Sequence, residues 1–211
     1  MRTSVVAADD PQAVEAAIAL LQAGQVVAFP TDTVYGIGAS ATDAAAVARL
    51  YTVKDRSETK AIPVLIAAVA DLAQVARGVP PFVERLAGRF WPGGLTLVLP
   101  AAPSLPAALT AGGTTVAVRC PAHPTPRALI HALGTPLAAT SANLSGQPAP
   151  TTAAEVARQL AGRLPLILDG GVCPVGVAST LVDLTSDPPR LLRAGAIPAE
   201  ALRALLPELA P

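Results

Sequence analysis

Three apolar runs of the sequence end in polar residues that could hold a charged ligand. Residues 26–29 lead into PTDTVYG at 30–36, residues 117–118 lead into Arg119, and residues 137–139 lead into TSANLSG at 140–146. In open α/β sheets, ligands bind in the crevice beyond the carboxyl ends of the strands. Hydroxyl, amide and guanidinium groups that converge there would suit a polar, phosphorylated ligand. These turns are therefore the first candidates for a site.

A short polar segment, KDRSETK at 54–60, holds both lysines of the chain. Thirteen of the fifteen basic residues are arginine, and the only lysines are Lys54 and Lys60. A lysine ammonium pairs with phosphate as a compact point charge, whereas arginine offers a planar fork. A contact between such an ammonium and phosphate is therefore one interpretation of this pattern, and chance is the other. Because the segment is polar and lies between a predicted helix and a predicted strand, we expect neither Lys54 nor Arg56 to be in the core. The alternative is a solvated surface loop.

The motifs of several common enzyme classes are missing. The sequence has no GxxxxGK[ST] loop, no GxGxxG after a strand, no GxSxG and no HExxH. His123 and His131 lie in a Pro-rich turn and on a predicted helix, without a pattern that predicts a triad. The remaining cations and small polar turns suit nucleotidyl or phosphoryl transfer, where positioning and charge stabilisation provide most of the catalysis. They would equally suit plain nucleotide or RNA binding.

Predicted strands and helices alternate along the chain, which indicates an α/β fold. A helix capped by Thr42 and Asp43 runs to about residue 53, and further helices are predicted at 11–23, 69–77, 81–89, 126–133, 153–161 and 198–206. Strands are predicted at 25–29, 62–66, 95–99, 115–119, 136–139, 166–168, 180–184 and 190–193. The last strands lack intervening helices, so we expect a mixed sheet. Residues 100–113 are predicted to be one surface loop inside a single domain.

Composition limits the cellular setting. The formal net charge is zero, which argues against a nucleic-acid coat protein. The most apolar stretch, 61–70, contains Pro63 and is followed by Asp71, so it is too short to span a bilayer. The first residues lack the apolar region of a signal peptide. Cys120 and Cys173 are too few for a disulfide framework or a zinc cluster. We expect a cytoplasmic protein without a membrane partner.

Seven strings of the sequence together resemble the successive signatures of the YrdC-type threonylcarbamoyl-AMP synthase family. Each string is weakly specific, but all seven follow the family's order from about residue 10 to residue 197. They are FPTDTVYGIG, YTVKDRSETKAIPVLI, FWPGGLTLVLP, VAVRCPAHP, AATSANLSGQPAPTT, ASTLVDLT and LLRAGAI.

The resemblance implies an enzyme that makes threonylcarbamoyl-AMP and pyrophosphate from L-threonine, bicarbonate and ATP. Partner transferase proteins would then move the threonylcarbamoyl group to an adenosine of tRNA, and direct contact with tRNA stays open. It also implies a twisted mixed sheet with helices on its faces and a concave electropositive cavity. Longer members append a second domain after a linker, so we expect 1–211 to be a single domain of the short type.

The resemblance also assigns roles to individual residues. It places Thr31, Arg119 and Ser179 at the threonine substrate, with Arg119 pairing with the substrate carboxylate. It places Lys54 and Arg56 at the phosphates as the catalytic cations. The nucleotide would be lined by these two and by Thr115, Ser141, Asn143, Ser145 and Arg193. Magnesium would be carried by ATP, with no ligands from the protein. Ser57 departs from the family, which usually has proline after this Lys-x-Arg pair.

Other interpretations remain open at this point. Thr31, Asn143 and Ser145 could be ordinary turn residues, and Thr115 and Ser179 ordinary strand residues. The whole chain could instead be an RNA-binding module for double-stranded RNA or tRNA. It could also be a carbamoyl-adenylating domain like that of the hydrogenase-maturation carbamoyltransferases.

Overall fold

The computed structural model describes residues 1–211, which form one ten-stranded mixed sheet with helices on both faces. The strands are β1 (Ser4–Ala7), β2 (Val27–Phe29), β3 (Gly36–Ser40), β4 (Val64–Leu65), β5 (Leu95–Pro100), β6 (Thr115–Arg119), β7 (Leu137–Ser141), β8 (Leu166–Asp169), β9 (Thr180–Asp183) and β10 (Arg190–Arg193). Their order across the sheet is β1-β8-β2-β3-β7-β4-β6-β5-β9-β10. The predicted α/β class and mixed sheet are confirmed.

The fold also contains eight α-helices, seven between strands and one after the last strand. They are α1 (Pro11–Gln22), α2 (Ala44–Lys54), α3 (Leu72–Val75), α4 (Phe82–Phe90), α5 (Ala107–Thr110), α6 (Pro124–Leu133), α7 (Ala153–Leu160) and α8 (Ala199–Arg203). The first turns of α1 and α2 are capped by side chains, as expected from the sequence: Asp10 accepts from Gln12 N and Asp43 from Ala45 N. None of the helices combines the length and the apolar character that crossing a membrane would need.

The sheet separates two apolar layers. Val26 and Ala28 belong to the larger layer, and Val27 and Phe29 to the smaller one, because successive side chains of a strand point to opposite faces. Helices α1 and α6 pack on the smaller layer. Helices α2, α4 and α7 contribute to the larger one.

Sequence analysis missed three elements, and one of its predictions was wrong. Residues 100–113 are not a plain surface loop, because they contain α5, whose Leu109 is buried and accepts a hydrogen bond from Ile62 N. Strand β3 has the sequence GIGAS, and glycine is usually depleted in strands. A Cβ at Gly38 would lie 2.9 Å from the Phe29 ring, so this β-strand needs glycine at that position. Strand β1 is a four-residue edge strand without a clear sequence pattern.

Strand pairing brings two of the polar turns together. Strand β3 pairs antiparallel with both β2 and β7, so the PTDTVYG turn between β2 and β3 lies beside the end of β7, where TSANLSG begins. Two backbone hydrogen bonds join these segments, from Tyr35 N to Pro150 O and from Ala142 N to Tyr35 O. The fully buried Tyr35 side chain donates to Gly171 O.

Candidate functional site

Arg119, the last residue of β6, is held by three hydrogen bonds from its guanidinium. Its Nε donates to Gly93 O at 2.9 Å, its NH1 to Thr33 Oγ1 at 2.7 Å and its NH2 to Asp32 Oδ1 at 2.6 Å. The residue is only 7% exposed. Burial lowers the pKa of Arg119 and the Asp32 carboxylate opposes that shift. The buried guanidinium therefore connects the β2–β3 turn to the end of β6 and to Gly93, which lies just before β5.

Ser179 and Arg193 form a second part of the same region. Arg193 donates from Nε and NH2 to Ser179 O, and from NH2 to Ser179 Oγ at 3.1 Å. Ser179 is 6% exposed, and its hydroxyl also shares a 2.7 Å hydrogen bond with Thr96 Oγ1. Partial burial lowers the pKa of Arg193, and so does the nearby charge of Arg119. We call Asp32, Thr33, Arg119, Ser179 and Arg193 the arginine cluster.

The arginine cluster contains two guanidiniums and one carboxylate. Arg119 has its ion pair with Asp32, whereas Arg193 makes no salt bridge. The cluster therefore carries an uncompensated positive charge and can attract an anion.

Thr31 lies beside this cluster but faces into its own turn. Its hydroxyl donates to Val34 O at 2.7 Å, accepts from Thr33 N and shares a hydrogen bond with Thr33 Oγ1. These bonds fix the turn that presents Thr33 and Asp32 to Arg119. A contact between Thr31 and threonine stays a prediction.

Lys54 forms a second polar group. The αL conformation of Asp55, with φ 49°, ends α2 directly after Lys54. The Lys54 ammonium donates to Ser141 O, to Asn143 O at 2.6 Å and to Asn143 Oδ1 at 3.4 Å. We call these three residues the lysine cage. Lys54 is 1% exposed, so the expectation that it lies outside the core was wrong. The polar residues that follow Lys54 in the sequence did not indicate that this end of α2 points inward.

The ammonium of the lysine cage has carbonyl oxygens around it but no carboxylate within salt-bridge distance. Burial, followed by the smaller effect of the Arg56 charge, lowers the pKa of Lys54 to about 7. An anion placed beside this group would offset both effects.

Arg56 is half-buried and reaches along its own segment. It donates to Lys60 O and Ala61 O, and no carboxylate pairs with it. Lys60 is exposed. Arg56, unlike Lys54, is thus outside the core as predicted.

The other predicted nucleotide residues differ in what their side chains already bind. The hydroxyls of Ser141, Ser145 and Thr115 make no hydrogen bond within the chain, whereas the Asn143 amide is bonded to Leu144 O, Gln147 O and Lys54. Thr115 begins β6 and Arg119 ends it, so roughly 13 Å of strand separates the two residues. The nucleotide role of these four residues stays a prediction.

The polar residues thus form two groups joined by the β2–β3 turn. Arg193, predicted for the nucleotide, lies in the arginine cluster through Ser179, which was predicted for threonine. Two clefts, of about 270 and 510 Å³, lie elsewhere: the first beside Arg77 and Thr110, the second beside His123 and Asp169. None of the predicted site residues lines either cleft.

Sequence analysis did not identify Asp32, Thr33 and Gly93 as partners of Arg119. Asp32 offered one signal, since an acidic residue directly after a buried strand needs a partner when the turn folds inward. Nothing in the sequence indicated which of thirteen arginines would be that partner.

Comparison with known proteins places the chain among related sequences and structures. The profile of the family Sua5_yciO_yrdC, described as Telomere recombination, matches residues 19–195. The chain is 46% identical over 205 residues to the threonylcarbamoyl-AMP synthase of Bacillus subtilis, covering 97% of this chain and 59% of the relative. It is 45% identical over 193 residues to the threonylcarbamoyl-AMP synthase of Pyrococcus abyssi, covering 92% and 57%.

A solved structure is similar along nearly the whole chain. The crystal structure of P. abyssi Sua5 complexed with L-threonine superposes with a TM-score of 0.96 at 42% sequence identity, covering 99% of this chain and 62% of that one. The chain therefore spans about three fifths of the length of these relatives.

The buried ion pair of the arginine cluster should dominate the stability of this region. We expect Asp32→Ala to lower the free energy of unfolding by about 3–5 kcal/mol, because it leaves the Arg119 guanidinium buried without its counter-charge. Urea denaturation measures the change. The double variant Asp32→Ala/Arg119→Met should lose less than the sum of the single variants, and strictly additive losses would contradict a coupled pair.

Proposed function

The chain belongs to the Sua5/YciO/YrdC family, and from that premise we propose that it makes threonylcarbamoyl-AMP and pyrophosphate from L-threonine, bicarbonate and ATP. The observation that carries the proposal is the arginine cluster, which has two guanidiniums but only one carboxylate, and that carboxylate pairs with Arg119 alone. Such a site favours a small anion, and the carboxylate of an amino acid fits that description.

The amino-acid substrate would be held at the arginine cluster. Three of the five N–H groups of Arg119 bind Gly93, Thr33 and Asp32, which leaves one hydrogen on each terminal nitrogen for a carboxylate. Asp32 fixes the plane of the Arg119 guanidinium, so a bound carboxylate would pair with it in one orientation. Ser179 and Thr31 stay our candidates for contacts to the rest of the threonine molecule.

The triphosphate would lie towards the lysine cage. Lys54 and Arg56 are cations without carboxylate partners, and Ser141, Ser145 and Thr115 offer hydroxyls that bind nothing else in the chain. Because the ammonium of Lys54 is fully engaged by Ser141 and Asn143, phosphate binding would require it to exchange at least one carbonyl for a phosphate oxygen. Arg193 lies in the arginine cluster, where it could reach a group shared by both substrates.

The chemistry we propose has two steps. The amine of threonine attacks the carbon of carbon dioxide and loses a proton, or attacks bicarbonate with loss of one water molecule, and in either case forms a carbamate. An oxygen of that carbamate then attacks the α-phosphorus of ATP, and the bond to the β-phosphate breaks with release of pyrophosphate. Lys54 and Arg56 would stabilise the charge that develops on the leaving group. Catalysis would then rest on position and charge rather than on a protein nucleophile.

Magnesium would arrive with ATP as part of the substrate. No group of three or more His, Cys, Asp or Glu side chains is arranged to hold a metal ion, and the lysine cage offers only cations and carbonyl oxygens.

The product is a mixed anhydride, so a transferase acting on tRNA would have to accept it. We propose a cytoplasmic setting for this reaction. The RNA-binding alternative is not favoured, because the net charge is zero.

Pyrophosphate release separates an enzyme from a binding module. We expect release that requires ATP, L-threonine and bicarbonate together, with an adenylated product that retains the threonine label. A coupled pyrophosphate assay with each component omitted in turn, combined with mass spectrometry of the product, tests this. Release that proceeds equally well without threonine, or labelled threonine that never enters an adenylate, would refute the proposed reaction.

The lysine cage predicts a pH dependence of nucleotide binding. Since the pKa of Lys54 is lowered to about 7, the ammonium is present below that pH and is lost above it. ATP affinity should therefore be flat at acidic pH and fall by up to about tenfold per unit once the pH exceeds 7. Calorimetric titrations between pH 6 and 9 measure it. Lys54→Met should remove this part of the slope, and an identical slope in that variant would exclude Lys54 as its source.

A further inference from the structure

Gln159 on α7 forms hydrogen bonds with both ends of the turn at residues 144–148, which contains Ser145, a residue predicted to line the nucleotide. Its Oε1 accepts a hydrogen bond from Leu144 N at 3.0 Å, and its Nε2 donates to Pro148 O at 3.1 Å. A glutamine amide that binds the backbone at two points four residues apart fixes the distance between those points. No other side chain of α7 forms a hydrogen bond with residues 144–148.

The turn itself has a defined backbone. Gln147 N donates to Leu144 O at 3.0 Å, and Gly146, with φ 85°, occupies the position where such a turn needs a positive φ. Asn143 closes the same turn from inside, because its Nδ2 donates to Leu144 O and to Gln147 O at 2.8 Å each. Ser145 N donates to Lys54 O. The turn is therefore anchored by α2 on one side and by α7 on the other.

This anchoring leaves the polar side chains of Ser145 and Gln147 without a hydrogen-bond partner in the chain. Ser145 is exposed, and its hydroxyl binds nothing else in the chain, although its backbone is fixed on both sides. The amide of Asn143 has no free hydrogen left, since both are donated within the turn. Asn143 thus acts on its neighbours. The turn presents Ser145 and Gln147, and of these two only Ser145 is among the predicted nucleotide residues.

We propose that Gln159 is a positioning residue for the nucleotide. It does not touch the ligand; it holds residues 144–148 so that the Ser145 hydroxyl and the adjacent lysine cage meet the phosphates in one geometry. The inference rests on the proposed function in that it takes ATP as the ligand of this turn. Gln159 lies in the last turn of α7, half-buried, so its substitution removes two hydrogen bonds without opening the core.

The test replaces Gln159 by methionine, which keeps the length of the side chain and favours helix but removes both hydrogen-bonding groups. The matched control is Gln22→Met, because Gln22 is an exposed glutamine at the end of α1 with no side-chain hydrogen bond. Gln159→Glu keeps an acceptor for Leu144 N and loses only the donor to Pro148 O. Calorimetry gives the affinities for ATP and for L-threonine, and hydrogen exchange reports on the Leu144 amide.

For Gln159→Met we expect faster exchange at Leu144, an ATP affinity about tenfold weaker and an unchanged threonine affinity, at a melting temperature close to that of Gln22→Met. In Gln159→Glu the Leu144 amide should stay protected. Faster exchange with ATP affinity within twofold of wild type would overturn the proposal. An equal loss for ATP and threonine would also overturn it, because that result indicates a general structural role.

The outcome can be separated from the fate of the proposed reaction. If the wild-type protein releases no pyrophosphate, but Gln159→Met binds ATP more weakly than wild type does, the positioning role stands and the proposed reaction fails. If wild type does not bind ATP at all, the positioning role fails as well.

Discussion

The buried ion pair between Arg119 and Asp32 is the interaction on which the site depends. A guanidinium that is only 7% exposed must have its charge and its donors satisfied, and Asp32, Thr33 and Gly93 do this from two separate segments. The same bonds fix the turn between β2 and β3. The same turn is joined to the end of β7 by the hydrogen bond from Ala142 N to Tyr35 O, so the arginine cluster and the lysine cage are held by two neighbouring segments of backbone.

The pairing of Asp32 with Arg119 leaves the other cations of the predicted site without a carboxylate. Asp32 neutralises Arg119 and leaves Arg193 without a carboxylate, while Lys54 and Arg56 also lack one. Three cations of the predicted site, Arg193, Lys54 and Arg56, therefore lack acidic partners, although the net charge of the protein is zero. Such uncompensated charge costs stability in the free protein and is offset when anionic ligands bind.

The sequence was sufficient for the α/β class, the mixed sheet and most helices, because apolar periodicity and capping residues such as Asp43 are local signals. It was insufficient for β3, where two glycines accommodate the ring of Phe29 from a neighbouring strand. Arg119 was found as a candidate, but Asp32 was not named as its partner. The inward direction of Lys54 depends on where α2 ends relative to β7. The Arg119–Asp32 pairing and the inward direction of Lys54 both depend on tertiary structure, and no local sequence pattern encodes them.

The central claim is that Arg119 recognises the carboxylate of threonine, and a titration of L-threonine into wild type and Arg119→Lys tests it most directly. Lysine keeps the charge but cannot form the planar pair of hydrogen bonds with a carboxylate. L-threoninol, which lacks the carboxylate, should bind wild type only weakly. We predict that Arg119→Lys weakens threonine binding by about thirtyfold or more, equivalent to about 2 kcal/mol, while ATP affinity stays within a few-fold. Near-unchanged threonine affinity in this variant, or equal binding of threonine and threoninol to wild type, would contradict the account.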